Sequence, residues 1–201
     1  MLEIPKNARS LRNLPEKMRG AVRRLDEIFW KELSGMRVGK MLFEVNPVGG
    51  TEKAAEVKEI AARLDVNLEN VMYVGDSITD VSAFRLVRSA GGVTVSFNGN
   101  NYAIREAEVA VLSRNAIVTA LLASIFSRYG KNSLLTVIRE WGPSAFGKFD
   151  LDEPLKEYFF KVCEERFPKA ESVNQRNMAR LMRESSEFRK SVRGESIGQL
   201  G

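Results

Sequence analysis

Two carboxylates, Asp76 and Asp80, stand four residues apart where an apolar stretch of the sequence ends. The stretch 71–74 reads VMYV and is followed at once by Gly75. This pattern predicts a buried strand that ends in a sharp turn and leads into a helix. Ligands of open α/β sheets bind at the carboxyl ends of the strands, and Mg²⁺ prefers oxygen ligands such as carboxylates. The pair is therefore a candidate magnesium site.

The same segment has a structural interpretation, which is helix capping. Asp76, Ser77 or Thr79 could accept hydrogen bonds from the free N–H groups of the first helical turn. The apolar strand directly before the segment favours a site over a simple cap. The residues alone leave both interpretations open.

Two further features carry polar groups that suit a phosphate. Lys53 follows the segment 49–51 (GGT), near the start of a predicted helix, where a positive charge opposes the helix dipole. A phosphate would explain this lysine, and a solvated side chain is the alternative. The segment 98–101 (NGNN) follows a predicted strand, and ordinary turn chemistry explains it without a ligand.

Strands and helices alternate through the middle of the chain, which indicates an α/β fold with a parallel sheet flanked by helices. Three strands are predicted at 71–74, 93–97 and 109–112, and a shorter strand or extended lead-in at 41–45. Thr51 is expected to cap the helix 52–64, and the Gly, Pro and Ser content of 143–149 favours a linker there. The remaining predicted helices are 11–33, 81 to the Gly91-Gly92 pair, 102–106, 116–129, 133–141, 153–167 and 173–192.

The composition excludes several classes of function. The 201 residues contain no histidine, which excludes Ser-His-Asp and Cys-His catalysis and almost every zinc site. Cys163 is the single cysteine, so no internal disulfide can form. No run approaches the roughly 18 apolar residues of a membrane span. We therefore expect a cytoplasmic protein that does not enter the membrane.

The net charge of +5 comes from basic residues near both ends, at 9–24 and 176–193. Solvated helix faces explain this charge better than nucleic acid does, because aromatic residues suited to base stacking are not interleaved with the charges. Nucleic acid is therefore not an expected partner.

The order of these motifs resembles the C-terminal half of the haloacid dehalogenase (HAD) superfamily of phosphohydrolases. The segment 49–53 (GGTEK) looks like the third motif of the superfamily, and 75–80 (GDSITD) looks like the fourth. The segment 92–98 (GVTVSFN) is similar to the strand and turn that follow in the phosphoserine-phosphatase-like branch. The likeness extends from about Phe29 to Leu112 and is strongest to archaeal-type members with a helical C-terminal extension.

The resemblance implies a set of roles for residues of this chain. The substrate would be a small phosphomonoester, although Thr79 stands where the branch usually has asparagine, so a preference for phosphoserine does not follow. The implied residues are Lys53 as the catalytic lysine that neutralises the phosphoryl group, Asp76 and Asp80 as Mg²⁺ ligands, and Ser77, Asn98 and Asn100 as phosphate or substrate contacts.

The first motif of the superfamily, a strand that ends in D-x-D and carries the nucleophile, has no counterpart before Lys53. Asp26 lies inside a predicted helix. The single D-x-D of the chain, Asp150 and Asp152, precedes Glu153-Pro154, so we expect Asp152 to be a helix N-cap. The chain by itself is then expected to be inactive, because covalent catalysis needs its nucleophile.

In the superfamily, the nucleophile strand lies beside the strand that corresponds to 71–74. Without it, that strand is left with an unpaired apolar edge. The chain is then a piece of a longer or split protein, or a second chain or second copy completes the sheet, or the N-terminal helical segment covers the edge. The expected organisation is an N-terminal helical segment and cap remnant at 1–40, a HAD-like core at 41–142 and a helical C-terminal extension at 143–201. The alternative to a hydrolase half is a non-catalytic subunit that binds a partner chain.

Overall fold

The computed structural model describes residues 15–37, 39, 41 and 49–194. The chain divides into two compact units, Met1–Pro47 and Val48–Gly201. Each unit is described by itself.

The first unit is helical where it is described. Helix α1 spans Glu16–Glu27, directly after Pro15, and a π-helical stretch continues it over Ile28–Glu32. Proline suits the start of a helix because its missing N–H would have no partner there. The predicted helix 11–33 is therefore present over its described part, whereas 11–14 lie outside the described residues. Of the predicted strand 41–45 only Met41 is described, in helical conformation.

The second unit contains four strands and six helices among its described residues. The strands are β1 (Met72–Gly75), β2 (Val93–Phe97), β3 (Val109–Leu112) and β4 (Lys169–Ser172). The helices are α2 (Gly50–Arg63), α3 (Val81–Ser89), α4 (Asn101–Glu106), α5 (Ile117–Arg139), α6 (Glu153–Cys163) and α7 (Met178–Arg193), with short 3₁₀ turns at Leu68–Asn70, Ile78–Asp80 and Pro143–Lys148.

The strands form one sheet in the order β1-β2-β3-β4. The first three strands are parallel, and β4 runs antiparallel to β3. The three strands predicted from apolar runs are confirmed, and with them the α/β class. The sequence did not predict β4, whose four residues KAES carry no apolar alternation.

Side chains alternate between the two faces of the sheet, as the geometry of strands requires. Valines 93, 95, 109 and 111 point to one face and pack against α5, α6 and the 3₁₀ turn Pro143–Lys148. On the other face, Phe84 of α3 packs with Ala103 of α4, and Leu181 of α7 packs with Ala110 of β3. The sheet is therefore a middle layer between two helical layers.

Three local predictions need correction or refinement. The segment 143–149 is no linker, because Phe146 is fully buried in the core beside α6. Helix α2 begins at Gly50 after an extended Gly49, so Thr51 lies inside the helix and does not cap it. Gly130, with φ of 75°, interrupts α5 at the predicted break between two helices.

The outer edge of β1 has no strand beside it within residues 49–194, where β1 pairs with β2 alone. Val74 on this strand is 37% exposed, although an apolar strand of a parallel sheet is normally covered on both faces. The open edge lies on the strand that leads to the two aspartates.

No helix among the described residues combines the length and the apolar character that crossing a membrane requires.

Candidate functional site

The candidate site is a corner at the carboxyl end of β1. Asp76 and Ser77 follow the strand directly, and the 3₁₀ turn Ile78–Asp80 brings the Asp80 side chain back against the strand end. Gly75 permits this approach, because a Cβ there would lie 2.6 Å from the Cβ and Cγ of Asp80. Glycine is therefore required at the end of β1 by close packing against a carboxylate.

Asp80 is a buried carboxylate that accepts hydrogen bonds from five donors, and the residue is 3% exposed. Its Oδ2 accepts from the backbone N of Asp76 and of Ser77, both at 2.9 Å, and from Ser77 Oγ at 3.0 Å. Its Oδ1 accepts from Lys53 Nζ at 2.8 Å and from the Tyr73 hydroxyl at 2.9 Å. Ser77 and Asp80 form a capping box, so the capping interpretation holds for Ser77.

These donors control the ionisation of Asp80. Burial by itself would raise the pKa of this carboxyl group, but the hydrogen bonds from Lys53, from the backbone of Asp76 and Ser77 and from Tyr73 outweigh it and lower the pKa to about 2. Burial, reinforced by the neighbouring carboxylate, raises the pKa of Tyr73. Asp80 is therefore charged, and Tyr73 protonated, across the physiological pH range.

Lys53 is brought to Asp80 from the first turn of α2. Its Nζ donates to Asp80 Oδ1 at 2.8 Å and to Thr79 Oγ1 at 2.9 Å, and its side chain is 31% exposed. An ammonium group has three N–H donors. The two described contacts therefore leave one donor for a ligand, on a group whose position is set by a buried carboxylate.

Asp76 is bound by two arginines of α7, a contact that the sequence did not reveal. Its Oδ2 lies 3.0 Å from Arg189 Nη1 and 2.7 Å from Arg193 Nη2. Its backbone oxygen accepts from Asn100 N at 2.8 Å and from Arg189 Nη1 at 3.2 Å. Asp76 thus joins the end of β1 to the loop after β2 and to α7.

The other predicted contacts, Ser77, Asn98 and Asn100, lie at the same corner and have structural partners. The Asn98 side chain donates to Ser113 O at 2.7 Å and accepts from Ser113 N at 2.9 Å, which ties the ends of β2 and β3 together. Asn100 Oδ1 caps α4 by accepting from Tyr102 N and Ala103 N, while its buried Nδ2 has no hydrogen-bond partner among the described residues. Their role in binding phosphate stays a prediction.

A signal for the missed arginines was present in the sequence. Leu181, Ser185 and Arg189 are spaced four apart, so a helix that buries Leu181 also turns Arg189 toward the core. The interpretation of the basic C-terminal residues as a solvated face was wrong for Arg189, which is 3% exposed.

The corner as arranged does not fit Mg²⁺. Among the described residues no group of three or more Asp, Glu, His or Cys side chains could hold a metal ion. Both oxygens of Asp80 are occupied by donors, and Asp76 already faces two guanidinium groups. Magnesium at Asp76 and Asp80 stays a prediction from the resemblance, and the side-chain partners of these two residues do not support it.

The charge balance of the corner favours an anion. Three cationic side chains, Lys53, Arg189 and Arg193, surround the two carboxylates Asp76 and Asp80, so one positive charge is in excess. Phosphate is a chemically suitable ligand, because guanidinium and ammonium groups bind its oxygens through charge-assisted hydrogen bonds.

The other acidic pair of the chain lies elsewhere in the fold. Asp152 Oδ1 accepts from Leu155 N at 3.0 Å and caps α6, which confirms the N-cap prediction. The backbone of Asp150 is hydrogen-bonded to the hydroxyl of Tyr129 on α5.

Comparison with known proteins places the motifs in context. A family model described as haloacid dehalogenase-like hydrolase matches residues 5–121. The structure of gene product AF1437 from Archaeoglobus fulgidus is similar, with a TM-score of 0.61 and 23% sequence identity. The match covers 94% of this chain and 56% of that one, so this chain spans little more than half the length of its structural neighbour. At this identity the likeness concerns the fold. A search of curated proteins gave no match.

Proposed function

The chain belongs to the haloacid dehalogenase-like hydrolases, and on that premise we propose that it forms the phosphate-binding half of a phosphomonoester hydrolase site. The observation that carries the proposal is the ion pair between Lys53 Nζ and Asp80 Oδ1, 2.8 Å long, at the carboxyl end of β1. The ligand would be the phosphoryl group of a small phosphorylated metabolite.

Lys53 would act by charge and position. Transfer of a phosphoryl group depends mainly on holding it in place and on stabilising the negative charge of its oxygens. The buried Asp80 carboxylate fixes the ammonium group, and Thr79 Oγ1 accepts a hydrogen bond from a second N–H of the same group. The remaining donor of Lys53 would bind a phosphoryl oxygen.

The nucleophile would come from a partner chain of different sequence, because a second copy of this chain would add a strand without a D-x-D at its end. The sequence contains no D-x-D at the end of an apolar strand, and within residues 49–194 the outer edge of β1 is free to pair. A strand added along this edge would end beside Asp76, where a carboxylate could reach the phosphorus atom. The chain alone would therefore be inactive.

We also propose a cytoplasmic location, which the single, buried Cys163 supports.

One observation favours a second candidate function, a non-catalytic binding subunit. Asp76 forms ion pairs with Arg189 and Arg193, so this corner can serve as a purely structural joint between β1 and α7. In that case the family fold serves to bind a partner chain.

Hydrolysis of p-nitrophenyl phosphate separates the two functions. The chain is assayed alone and with a second polypeptide that carries an apolar strand ending in D-x-D, each with the Asp76→Asn, Lys53→Met and Lys58→Met variants. Lys58 is an exposed lysine of the same helix and serves as the matched control. We expect turnover only in the mixture, lost in Lys53→Met and kept in Lys58→Met.

Absence of turnover in the mixture would contradict the proposed hydrolase function. Turnover that Asp76→Asn abolishes would rule out the non-catalytic function.

A further inference from the structure

We propose that Arg189 and Arg193 are the resident counter-ions of Asp76 and that they replace a divalent metal ion at this corner. The inference concerns the same corner as the proposed function, but it does not depend on turnover. It follows from the mismatch between the expected magnesium ligands and their observed partners.

Arg189 is a fixed cation at the ends of two strands. Its Nη1 donates to Asp76 Oδ2 at 3.0 Å, to the Asp76 backbone oxygen at 3.2 Å and to the Asn98 backbone oxygen at 2.6 Å. The side chain is 4% exposed, and its Nε is buried with no hydrogen-bond partner in the part of the chain that the structure describes. A buried cation requires a counter-ion. Asp76 is the carboxylate that supplies it.

Arg193 binds the same oxygen one helical turn further along α7. Its Nη2 lies 2.7 Å from Asp76 Oδ2, and its side chain is 39% exposed. Two guanidinium groups on one carboxylate carry the charge of one divalent cation. Arginine stays protonated at any physiological pH, so this charge is permanent.

The arginines are positioned by a packed helix face. Leu181 of α7 is 1% exposed, and one turn later the buried Ser185 donates from Oγ to Gly99 O at 2.6 Å. Arg189 and Arg193 follow at the same spacing of four residues, so these side chains share one face. Their place near the carboxyl end of α7 also suits the helix dipole. The cation is therefore built into the fold.

The two guanidinium groups oppose the binding of a magnesium ion at Asp76. They bind Asp76 Oδ2 and would repel a further cation beside this carboxylate, and Asp80 could not assist because its oxygens accept from five donors. Mg²⁺ binds through one or two carboxylates together with water and substrate phosphate, and it gives up its own waters reluctantly. Removal of the outer arginine should relax this exclusion.

Binding of Mn²⁺, followed by the loss of its free electron paramagnetic resonance signal, tests the inference on the full chain. The wild type is compared with Asp76→Asn, with Arg193→Gln, with Arg193→Gln/Asp76→Asn and with Arg183→Gln, an exposed arginine of α7 that serves as control. We expect the wild type and Arg183→Gln to bind no Mn²⁺ with a dissociation constant below about 1 mM, the weak end of protein cation sites.

Arg193→Gln should bind Mn²⁺ about tenfold more tightly than the wild type, which is the scale of one charge-assisted hydrogen bond, and the double variant should lose the gain. Wild-type binding below about 1 mM that Asp76→Asn removes would overturn the inference, since Asp76 would then be a metal ligand in the intact protein. The inference would also be overturned if Arg193→Gln bound Mn²⁺ no more tightly than the wild type. A chain that excludes Mn²⁺ as expected but shows no turnover with a partner would refute the proposed function alone.

Discussion

Replacement of Asp80 by asparagine removes the charge on which the corner depends. The three donors to Oδ2 could still be satisfied if the amide oxygen takes that place. The amide NH₂ would then face Lys53 Nζ, which has donors only, and the Tyr73 hydroxyl, which would have to accept where it now donates. Asp80→Asn therefore breaks an ion pair and sets an amide NH₂ against the Lys53 ammonium group.

The structure allows the size of the effect to be worked out. Loss of one partner from a fully buried ion pair costs about 3–5 kcal/mol. The Lys53 side chain is 31% exposed and regains some hydration, so we expect a loss of about 2–4 kcal/mol in the free energy of unfolding.

The pH dependence gives a second, independent measure. The pKa of Asp80 is lowered from 3.8 to about 2 in the folded chain. A lowered carboxyl pKa stabilises the fold above the unfolded value and loses this contribution as the pH falls through the folded value. Its size here is about 2 kcal/mol, lost between about pH 5 and pH 2.

Urea unfolding followed by circular dichroism measures both effects. Asp152→Asn is the control, because asparagine is as good an N-cap as aspartate and its effect should stay below about 0.5 kcal/mol. Wild type should lose about 2 kcal/mol more than Asp80→Asn on acidification. A free energy of unfolding of Asp80→Asn within about 1 kcal/mol of the wild-type value at pH 7 would contradict this role of Asp80. An equal loss of stability in both proteins on acidification would contradict it as well.

Three further predictions concern the elements around the corner. Gly75→Ala should lower the free energy of unfolding by about 1–3 kcal/mol in urea, because the new methyl group would lie 2.6 Å from Asp80; an unchanged midpoint would contradict this packing. Asn98→Ala should cost about 2–3 kcal/mol in the same assay, because it removes both hydrogen bonds to Ser113; a loss under about 0.5 kcal/mol would show that the bonds are not needed. Cys163 is 3% exposed and burial raises its pKa, so it should react with a thiol reagent only as the chain unfolds; rapid reaction without urea would contradict its burial.

The parallel part of the sheet was predictable because its strands are marked locally. Segments 93–97 and 109–112 are short apolar runs bounded by glycine or polar residues, and they fold as β2 and β3. Strand β4 could not be predicted, because its residues KAES have no strand pattern of their own. It is held by pairing with β3 and by ion pairs to α7, such as that between Arg180 on the helix and Glu171 on the strand.

The sequence predicted those parts of the site that the carboxyl ends of the strands bring together. Lys53 and Asp80 are 27 residues apart, and the order of helix and strand was enough to bring them to one corner. The partners of Asp76 depend instead on how α7 packs against the sheet, which places Arg189 and Arg193 at the carboxyl end of β1. A basic residue near a chain end normally lies in water, and only the packing of Leu181 and Ser185 makes Arg189 an exception.

Binding of inorganic phosphate to the chain in the presence of a chelator tests whether Lys53 forms a phosphate site that needs no metal ion. Isothermal titration calorimetry compares the wild type with Lys53→Met and with the control Lys58→Met. The account predicts that wild type and Lys58→Met bind phosphate equally without metal and that Lys53→Met binds it about tenfold more weakly. No heat of binding in the wild type, or equal affinity in all three proteins, would contradict a phosphate site at Lys53.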